Sequence, residues 1–444
     1  MKGIYTYIFS AIVGVVSYLV YKSYVNVFNG VIVKPYKRYD YIIGNRGWYN
    51  WLRTGLPPVR RPDHQGASRR GWRHHGVPHQ GTSDCHSTAE VFRFWNVESD
   101  YDRWTRLGFK GWSYEDLKPY FVKAFGTVHN EFDSEDCAVD GECPGMTQAS
   151  DLNSDPDISF RRPAATIRDG RRYSSYDAYL KPVLGRQNLH VLLKTQAISI
   201  RFDNRTASSL YILQNHRELN NIFVNKEIIL AAGTIKTPQI LIRSGIGPED
   251  TLKKLKVPPI AISPTLGKNV HDHMNMPLYV SIKQPISVTL SKVFTLQTVF
   301  EYLWKGTGLL SYPPVAGIEF NNKSALILFS MGTATIRRAE KLLTTKPFRD
   351  IGAKIHCSKI SEWKADSPPD TYLECVIREV AVTGHHIGGT CSAHTVLDDK
   401  LRVKSISGLR IMDASVLPSP ISLFPNSVLI AMAEKTSDII RNYK

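Results

Sequence analysis

The chain has 444 residues, enough for one large domain or two coupled ones with a sizeable buried core. Hydrophobic residues make up 42% and charged residues 22%, a composition that is typical of globular proteins and excludes a disordered chain. The formal net charge of +16 invites a polyanionic partner. The basic residues form no stripe interleaved with aromatic residues, however, so the sequence argues against nucleic-acid binding.

The first predicted element is an uncharged run of nineteen residues, GIYTYIFSAIVGVVSYLVY (3–21), between Lys2 and Lys22. Its length is close to what a bilayer-spanning helix needs. A signal peptide usually has a shorter apolar core followed by a small-residue cleavage site, and the run shows neither. We therefore expect residues 1–25 to be a membrane anchor, with a cleaved signal as the alternative. Either one places the protein at a membrane or outside the cell.

Six cysteines are present, and none forms a C-x-x-C pair, so zinc-ribbon and thioredoxin-type functions are not supported. An even number is compatible with disulfides in an exported protein. The two pairs that deserve testing are Cys137 with Cys143 and Cys357 with Cys375.

Residues 39–43 (YDYII) predict a β-strand, but the segment that follows, 44–94, shows neither helical nor alternating periodicity. This segment contains eight Arg, no Lys and three acidic residues. A metal or nucleic-acid patch is one interpretation of its His and Cys residues. Their spacing matches no standard zinc arrangement, so we expect no metal site. These residues are His74, His75, His79, Cys85 and His86.

Downstream of this segment, strands and helices follow one another in a pattern typical of an α/β nucleotide-binding fold. A helix is expected after its N-cap Ser113, because apolar residues recur at 117, 120, 121 and 124. The remaining predicted elements are strands at 189–202, 226–233 and 408–415 and a closing helix at about 427–442.

The stretch AAGTIKTPQILIRSGIG (231–247) is the most specific of the sequence. A strand runs into Gly233, where a backbone without Cβ can approach a ligand closely. Thr237 and Pro238 then suit the first turn of a helix. An ordinary strand–turn–helix without a ligand is the alternative at this point.

With other segments in order along the chain, this stretch resembles the glucose–methanol–choline (GMC) flavoprotein oxidoreductases, in particular the insect glucose-dehydrogenase branch. The matching segments cover roughly 100–320 and 335–444 and include GKNVHDH (267–273), HHIGGTC (385–391) and MDASVLP (412–418). The resemblance implies an α/β fold with a Rossmann-like FAD/NAD(P)-binding domain and a truncated α+β substrate domain on an antiparallel sheet. The expected boundaries are 39–275 for the FAD-binding region, 276–345 for the substrate-domain remnant and 346–444 for the C-terminal region.

The resemblance also implies FAD-dependent oxidation of the CH–OH group of an alcohol or sugar, with a quinone-like acceptor or oxygen taking the electrons. His386 matches the catalytic base, and a histidine suits that role because its pKa lies near the working pH. Asn426 matches a second active-site position. For Asp413, an N-cap is the alternative role. The positions that would contact FAD are Ala197, Gly233, Asp413, Ala414 and Pro425.

Three departures from the family pattern are visible. Phe424 stands where the family places a His or Asn beside the base, and phenylalanine neither donates nor accepts a hydrogen bond. The region around 320–340 joins segments that normally bracket much of the substrate-binding sheet. The glycine-rich FAD fingerprint and the strand that ends in Glu are both absent after residues 39–43.

The missing fingerprint can be recovered by reading possible codons one base out of frame. His64–Arg73 then permit IKVLLVEAGG, and Gly44–Trp48 permit GTAGG. We therefore expect 44–94 to be an out-of-frame translation of the FAD-binding exon, by mutation or by a gene-model error. Two alternatives to a working enzyme follow: a catalytically dead relative with a binding or structural role, or a faulty record of an ordinary active dehydrogenase.

Overall fold

The structure is a computed structural model of the chain, and its description covers the following residues: 37–45, 92–93, 98–125, 158–161, 164–168, 170–215, 217–275, 279–286, 288–311, 318–321, 337, 341, 343–356, 370–422 and 424–442.

The described residues alternate between helices and strands along the chain. The helices are α1 (Glu98–Arg106), α2 (Tyr114–Phe125), α3 (Gly233–Arg243), α4 (Glu249–Lys254), α5 (Leu290–Val293), α6 (Leu296–Lys305), α7 (Lys346–Asp350), α8 (Asp370–Val380) and α9 (Pro425–Arg441). The strands are β1 (Arg38–Asn45), β2 (Phe92–Arg93), β3 (Ile158–Arg161), β4 (Ala164–Ala165), β5 (Ile167–Arg168), β6 (Arg171–Arg172), β7 (Thr195–Asp203), β8 (Thr206–Gln214), β9 (Glu218–Ala231), β10 (Ile246–Gly247), β11 (Ala261–Ile262), β12 (Met274–Asn275), β13 (Tyr279–Ser281), β14 (Ile318–Asn321), β15 (Lys354–His356), β16 (Val382–Thr383) and β17 (Leu409–Ile411). Short helical turns occupy Tyr176–Leu180, Lys181–Val183, Leu309–Ser311 and Ala414–Val416.

The long strand β9 organises the main sheet, whose strand order is β1-β9-β8-β7 with β17 also on β9. Its first half pairs antiparallel with β8, and its second half pairs in parallel with β1 and β17. Ile228 and Leu230 of that second half are completely buried, as expected of a strand inside a parallel sheet covered on both faces. The α/β class expected from the sequence is confirmed.

An aromatic cluster fixes α1 and α2 beside this sheet. Tyr101 and Trp104 of α1, Phe109 and Trp112 of the connecting loop, and Phe121 of α2 are all at most 1% exposed. The rings of Phe109 and Trp112 stack with centroids 5.0 Å apart, and α2 packs against the C-terminal helix α9. Because α9 also carries part of the candidate site, this cluster connects the core to the chemistry.

The expected helix after Ser113 is confirmed as α2. The Ser113 hydroxyl accepts from the Asp116 amide at 3.3 Å, and the Asp116 carboxylate accepts from the Ser113 amide at 3.0 Å. These two bonds form a capping box, which satisfies backbone donors that the first helical turn leaves without partners. The closing helix is confirmed as α9, and it begins two residues before the predicted start.

Three strand predictions and one helix prediction need correction. The strand predicted at 226–233 is the second half of β9, which begins at Glu218 and ends at Ala231. The strand predicted at 189–202 begins only at Thr195, because Lys194 has a φ of 52° and its carbonyl accepts from Asn215 in a turn. The strand predicted at 408–415 ends at Ile411, because the Asp413 side chain caps a helical turn there. Helix α3 begins at Gly233, so Thr237 and Pro238 lie in its second turn and not in its first.

Residues 279–356 contain the antiparallel pair β13–β15, while β14 pairs antiparallel with β3. Within the described part of this region, these strands are not joined into a larger antiparallel sheet. The domain boundaries expected from the sequence remain predictions.

Several sequence expectations fall outside the described residues. They include the apolar run 3–21 and most of segment 44–94, with all of its His and Cys candidates. Among the helices that are described, none has the length and apolar character needed to cross a bilayer. Cys391 is a buried free thiol. Cys137, Cys143 and Cys357 are not among the described residues, so neither proposed disulfide is tested.

The aromatic cluster makes Phe121 a sensitive position. We expect Phe121→Ala to lower the free energy of unfolding by about 3–5 kcal/mol, because the surrounding rings cannot collapse into the cavity. The measurement is denaturant-induced unfolding followed by circular dichroism. The matched control is Phe300→Ala on α6, where the side chain is 62% exposed, and we expect that change to cost less than about 1 kcal/mol. Equal losses for the two variants would contradict the assignment of the core.

Candidate active site

The carboxyl ends of three parallel strands meet at one edge of the sheet. Asn45 of β1 is in register with Ala231 of β9, and Ile411 of β17 is in register with Leu230. The chain leaves β9 through Gly233, which has a φ of +84° and open space where a Cβ would point. Ligands of open α/β sheets bind outside such carboxyl ends, so this edge is where a cofactor is expected.

Asp413 lies just after β17 and hydrogen-bonds both to α3 and to the turn Ala414–Val416. Its Oδ2 accepts from the Gly233 amide at 2.9 Å and from the Thr237 hydroxyl at 2.6 Å. Its Oδ1 accepts from the Ser415 amide at 2.8 Å, which caps the turn Ala414–Val416. Capping, the alternative role considered from the sequence, is therefore what the described bonds show, and a direct role of the carboxylate toward FAD remains a prediction.

Because of Pro238, a backbone carbonyl of α3 is available for a hydrogen bond from the loop that carries His386. A proline has no amide hydrogen, so Pro238 cannot donate to the carbonyl of Thr234 one turn earlier. The Thr390 hydroxyl donates to that carbonyl instead, at 2.6 Å. The Thr234 hydroxyl in turn donates to the carbonyl of Ile387, also at 2.6 Å. The first turn of α3 and the loop 386–390 are therefore joined by two reciprocal hydrogen bonds.

The loop 384–389 runs antiparallel to residues 271–273 at very short range. The amide of Gly388 donates to His271 O at 2.9 Å, and the amide of Gly384 donates to His273 O at 2.6 Å. A Cβ on Gly389 would collide with the carbonyl of Asn269 and the His271 ring. Glycine at this position is therefore a steric requirement of the close approach.

Asp272 holds the same loop through two further hydrogen bonds. Its Oδ1 accepts from the His386 amide at 2.8 Å, and its Oδ2 accepts from the Thr383 hydroxyl. The Thr383 hydroxyl oxygen also accepts from the amide of His385 at 3.0 Å, and His385 has a left-handed backbone with φ of 59°. His385 is exposed, whereas the His386 side chain is half-buried.

His386 and His273 meet in a small cleft. Their Nδ1 atoms are 2.8 Å apart, and the rings are nearly perpendicular at 86°. Burial lowers the pKa of the neighbouring His271, whose Nε2 lies 3.3 Å from the carbonyl oxygen of Leu417. The residues that line the cleft are His271, Asp272, His273, His386, Leu417, Pro420, Ile421 and Pro425.

Phe424 lies next to His386, as the sequence predicted. Its ring lies edge-on to His386, with centroids 5.3 Å apart. Phe424 is the N-cap residue of α9, so Pro425 and Asn426 form the first turn of that helix. An aromatic face therefore borders the candidate base where a polar partner was expected.

The other predicted residues divide into two groups. Gly233, Asp413 and Ala414 belong to the hydrogen-bonded assembly of the His386 loop, because Gly389 also donates to the Ala414 carbonyl at 3.1 Å. Ala197 lies elsewhere, on β7, and an added Cβ on Gly44 of β1 would be 3.5 Å from the Ala197 side chain. It therefore marks the carboxyl end of β1 and not the histidine cleft.

Sequence reasoning missed the three residues of the H-D-H segment, 271–273. The only signal for them in the sequence was a second histidine-containing motif in the expected order. Their hydrogen-bond partners lie more than 100 positions further along the chain, so no local pattern connects the two segments. Within the described residues, no group of three or more His, Cys, Asp or Glu side chains is arranged to hold a metal ion.

Comparison with known proteins places these features in a family. The chain is 24% identical over 446 aligned positions to "Glucose dehydrogenase [FAD, quinone]" of Drosophila pseudoobscura pseudoobscura, covering 77% of this chain and 71% of the relative. It is 27% identical over 431 positions to human mitochondrial choline dehydrogenase, covering 77% and 72%. Among solved structures, an FAD-dependent oxidoreductase from Chaetomium thermophilum has a TM-score of 0.64 at 17% identity, covering 81% of this chain and 85% of that one. At that identity the likeness establishes the fold.

Two family descriptions, both of GMC oxidoreductases, match the chain at residues 94–275 and 322–433. The first match contains the H-D-H segment, Gly233 and Thr237, and the second contains His386, Asp413 and Phe424. The members of this family are FAD-dependent dehydrogenases and oxidases. By these matches, which cover well over half of its length, the chain belongs to the GMC oxidoreductase family.

Proposed function

We propose that this chain is an FAD-dependent oxidoreductase that oxidises the CH–OH group of an alcohol or sugar, with His386 as the base. The observation that carries the proposal is the position of His386. Its loop is bonded to the first turn of α3 at the carboxyl end of β9, and its ring stands in a cleft next to a second histidine. That combination of a sheet-edge site and an imidazole suits proton abstraction from a bound hydroxyl.

The residues present fit the C-terminal part of an FAD site. Open space beside the α-carbon of Gly233 lets a ligand approach the backbone at the edge of the sheet. Ala414 accepts from Gly389 of the His386 loop and Pro425 lines the cleft with His386, so both would contact the flavin, and Ala197 would contact the adenine at the end of β1. The resemblance places the donors to the pyrophosphate in the glycine-rich fingerprint, which the sequence of segment 44–94 lacks, so only the C-terminal part of the site is supported.

Asp413 supports this site indirectly. Both of its oxygens are engaged by protein donors, so we assign it the task of holding Gly233, Thr237 and the turn at Ala414 in place. When bound, FAD supplies the acceptor for the hydride that leaves the alcohol carbon. His386 takes the hydroxyl proton onto a ring nitrogen, and the side chains of Leu417, Ile421 and Phe424 keep that end of the cleft apolar.

The electron acceptor and the substrate class follow from the relatives and are proposals for this chain. A quinone-like acceptor or oxygen would complete the cycle, as the names of the glucose dehydrogenase and of the oxygen-dependent choline dehydrogenases indicate for those proteins. We also propose that the protein acts at a membrane or outside the cell, on the sequence of residues 3–21.

Replacement of the base tests the proposed reaction. The purified full chain should show flavin absorbance, which an alcohol or sugar from a test panel should bleach under anaerobic conditions. We expect His386→Asn to slow this bleaching about 10²- to 10⁴-fold, because general-base catalysis is lost, while the flavin absorbance before mixing stays the same.

The control for this experiment is His385→Asn, the same substitution at the exposed neighbour, where asparagine tolerates the left-handed backbone. This control should bleach at the wild-type rate. Bleaching of the His386→Asn protein at the wild-type rate would exclude His386 as the base.

A second candidate function is that of a catalytically dead relative with a binding or structural role. The specific observation in its favour is Phe424, whose ring borders His386 where the sequence comparison expects a polar group. A phenyl ring can pack a substrate but cannot hydrogen-bond its hydroxyl, so an alcohol would be poorly aligned with the base.

Restoration of a polar partner distinguishes the two candidates. We expect Phe424→His to accelerate substrate-dependent bleaching about 10-fold or more, because a hydrogen bond to the hydroxyl orients it toward His386. The measurement is the anaerobic bleaching rate for wild type and variant at equal flavin content, with Phe424→Leu as a control for the change in packing. A wild-type chain that binds flavin but is bleached only after Phe424→His would favour the dead relative.

A further inference from the structure

The two histidines of the cleft share one hydrogen bond, and its direction is not arbitrary. The Nδ1 atoms of His273 and His386 are 2.8 Å apart, so one of them must donate and the other must accept. A neutral imidazole carries a proton on only one of its two nitrogens. The bond that His273 makes through its other nitrogen therefore decides the direction.

That other nitrogen, Nε2 of His273, lies 2.6 Å from the carbonyl oxygen of Ile421. A carbonyl oxygen can only accept, so Nε2 of His273 carries the proton. Nδ1 of neutral His273 then has the lone pair and accepts, and His386 must donate through its own Nδ1. The proton of neutral His386 is thereby placed on Nδ1, and the lone pair is placed on Nε2.

The Ile421 carbonyl, at one end of this series of hydrogen bonds, is itself held in place. The residue after Ile421 is Ser422, whose amide and hydroxyl donate to the carboxylate of Asp100 at 2.8 and 2.9 Å. Asp100 on α1 is only 6% exposed, and burial raises the pKa of this carboxyl even though Ser422 opposes the shift. Helix α1 thus anchors the segment that orients the His273 ring.

His386, at the other end of this series of hydrogen bonds, is fixed independently. Asp272 accepts from the His386 amide, and Thr234 donates to the carbonyl of the next residue, Ile387. These two bonds fix the backbone before and after the His386 α-carbon, and the bond between the two Nδ1 atoms fixes the ring on that backbone.

We propose that His273 is a positioning residue, which through its bond to the Ile421 carbonyl holds His386 in the Nδ1–H tautomer and leaves the Nε2 lone pair for the substrate hydroxyl. The proposal rests on the proposed function only for the role of that lone pair. The hydroxyl proton moves to Nε2 of His386, and the resulting imidazolium keeps its Nδ1–H bond to neutral His273. In many enzymes a carboxylate or a carbonyl fixes the base histidine directly; here a second imidazole stands between the base and a carbonyl.

The tautomer can be measured without flavin turnover. In ¹⁵N-histidine-labelled full-length protein, long-range ¹H–¹⁵N spectra at a pH where the rings are neutral separate protonated from unprotonated ring nitrogens. The His386 signals are assigned by their loss in His386→Asn. We expect wild-type His386 to be protonated on Nδ1.

Three variants of His273 complete the test. His273→Phe keeps the ring shape but removes the acceptor, so His386 should shift toward the Nε2–H tautomer. His273→Gln can still reach the Ile421 carbonyl but has no acceptor at the Nδ1 position. It takes the place of the Phe variant if that variant does not fold, and it should show the same shift toward the Nε2–H tautomer. His273→Asn can offer its side-chain oxygen near the Nδ1 position, so it should restore the wild-type tautomer.

The kinetic counterpart is a loss of about 10- to 100-fold in the rate of substrate-dependent flavin bleaching for His273→Phe, with substrate KM little changed, and partial rescue by His273→Asn. An Nε2–H tautomer in wild-type His386, or a tautomer that is the same in all His273 variants, would overturn the proposal. Wild-type bleaching by the alcohol panel tests the proposed function separately, because the tautomer spectra do not depend on turnover.

Discussion

The carboxylate of Asp413 is the interaction on which the rest of the site depends. It sits where β17 ends, and its two oxygens collect three donors from two separate segments, Gly233 and Thr237 of α3 and Ser415 of the following turn. A negative charge at the start of a helix is favoured by the unsatisfied amides and the dipole of that helix. Removal of the carboxylate would therefore free the start of α3 and the turn at Ala414 at once.

The second constraint is the defect that Pro238 introduces into α3. A proline inside a helix leaves a carbonyl one turn earlier without its amide donor, and such a buried group must find another partner. Thr390 supplies it from the loop that carries His386. The irregularity of the helix is thus what aligns the two sequence motifs with each other, because no other hydroxyl in the described part of the site donates to that carbonyl.

Whether a feature could be predicted from the sequence depends on how far apart along the chain the interacting residues lie. The α/β class, the cap at Ser113, helix α9 and the contact between Phe424 and His386 follow from local patterns or from the resemblance. The proposed role of His273 does not, because its Nδ1 faces a residue 113 positions away and its Nε2 faces a backbone carbonyl 148 positions away. No periodicity encodes such contacts. The first turn of α3 was misplaced for a related reason: Thr237–Pro238 is a favourable opening pair locally, but Asp413 captures the Gly233 amide and starts the helix one turn earlier.

The contacts that build the histidine site come from α1, α3, the H-D-H segment 271–273 and the stretches 383–390 and 413–422. Each of these lies on the C-terminal side of segment 44–94, whose sequence departs from the family. His386 and the orientation of its ring can therefore be preformed even in a chain with an altered fingerprint. A defect in 44–94 should act on FAD affinity, because the backbone donors that the family directs at the pyrophosphate are replaced. A defect at Phe424 should act on substrate alignment instead, since that ring borders the proposed base, His386. The two departures would thus weaken different steps, and the geometry of His386 is compatible both with an active enzyme and with a relative that has lost its cofactor.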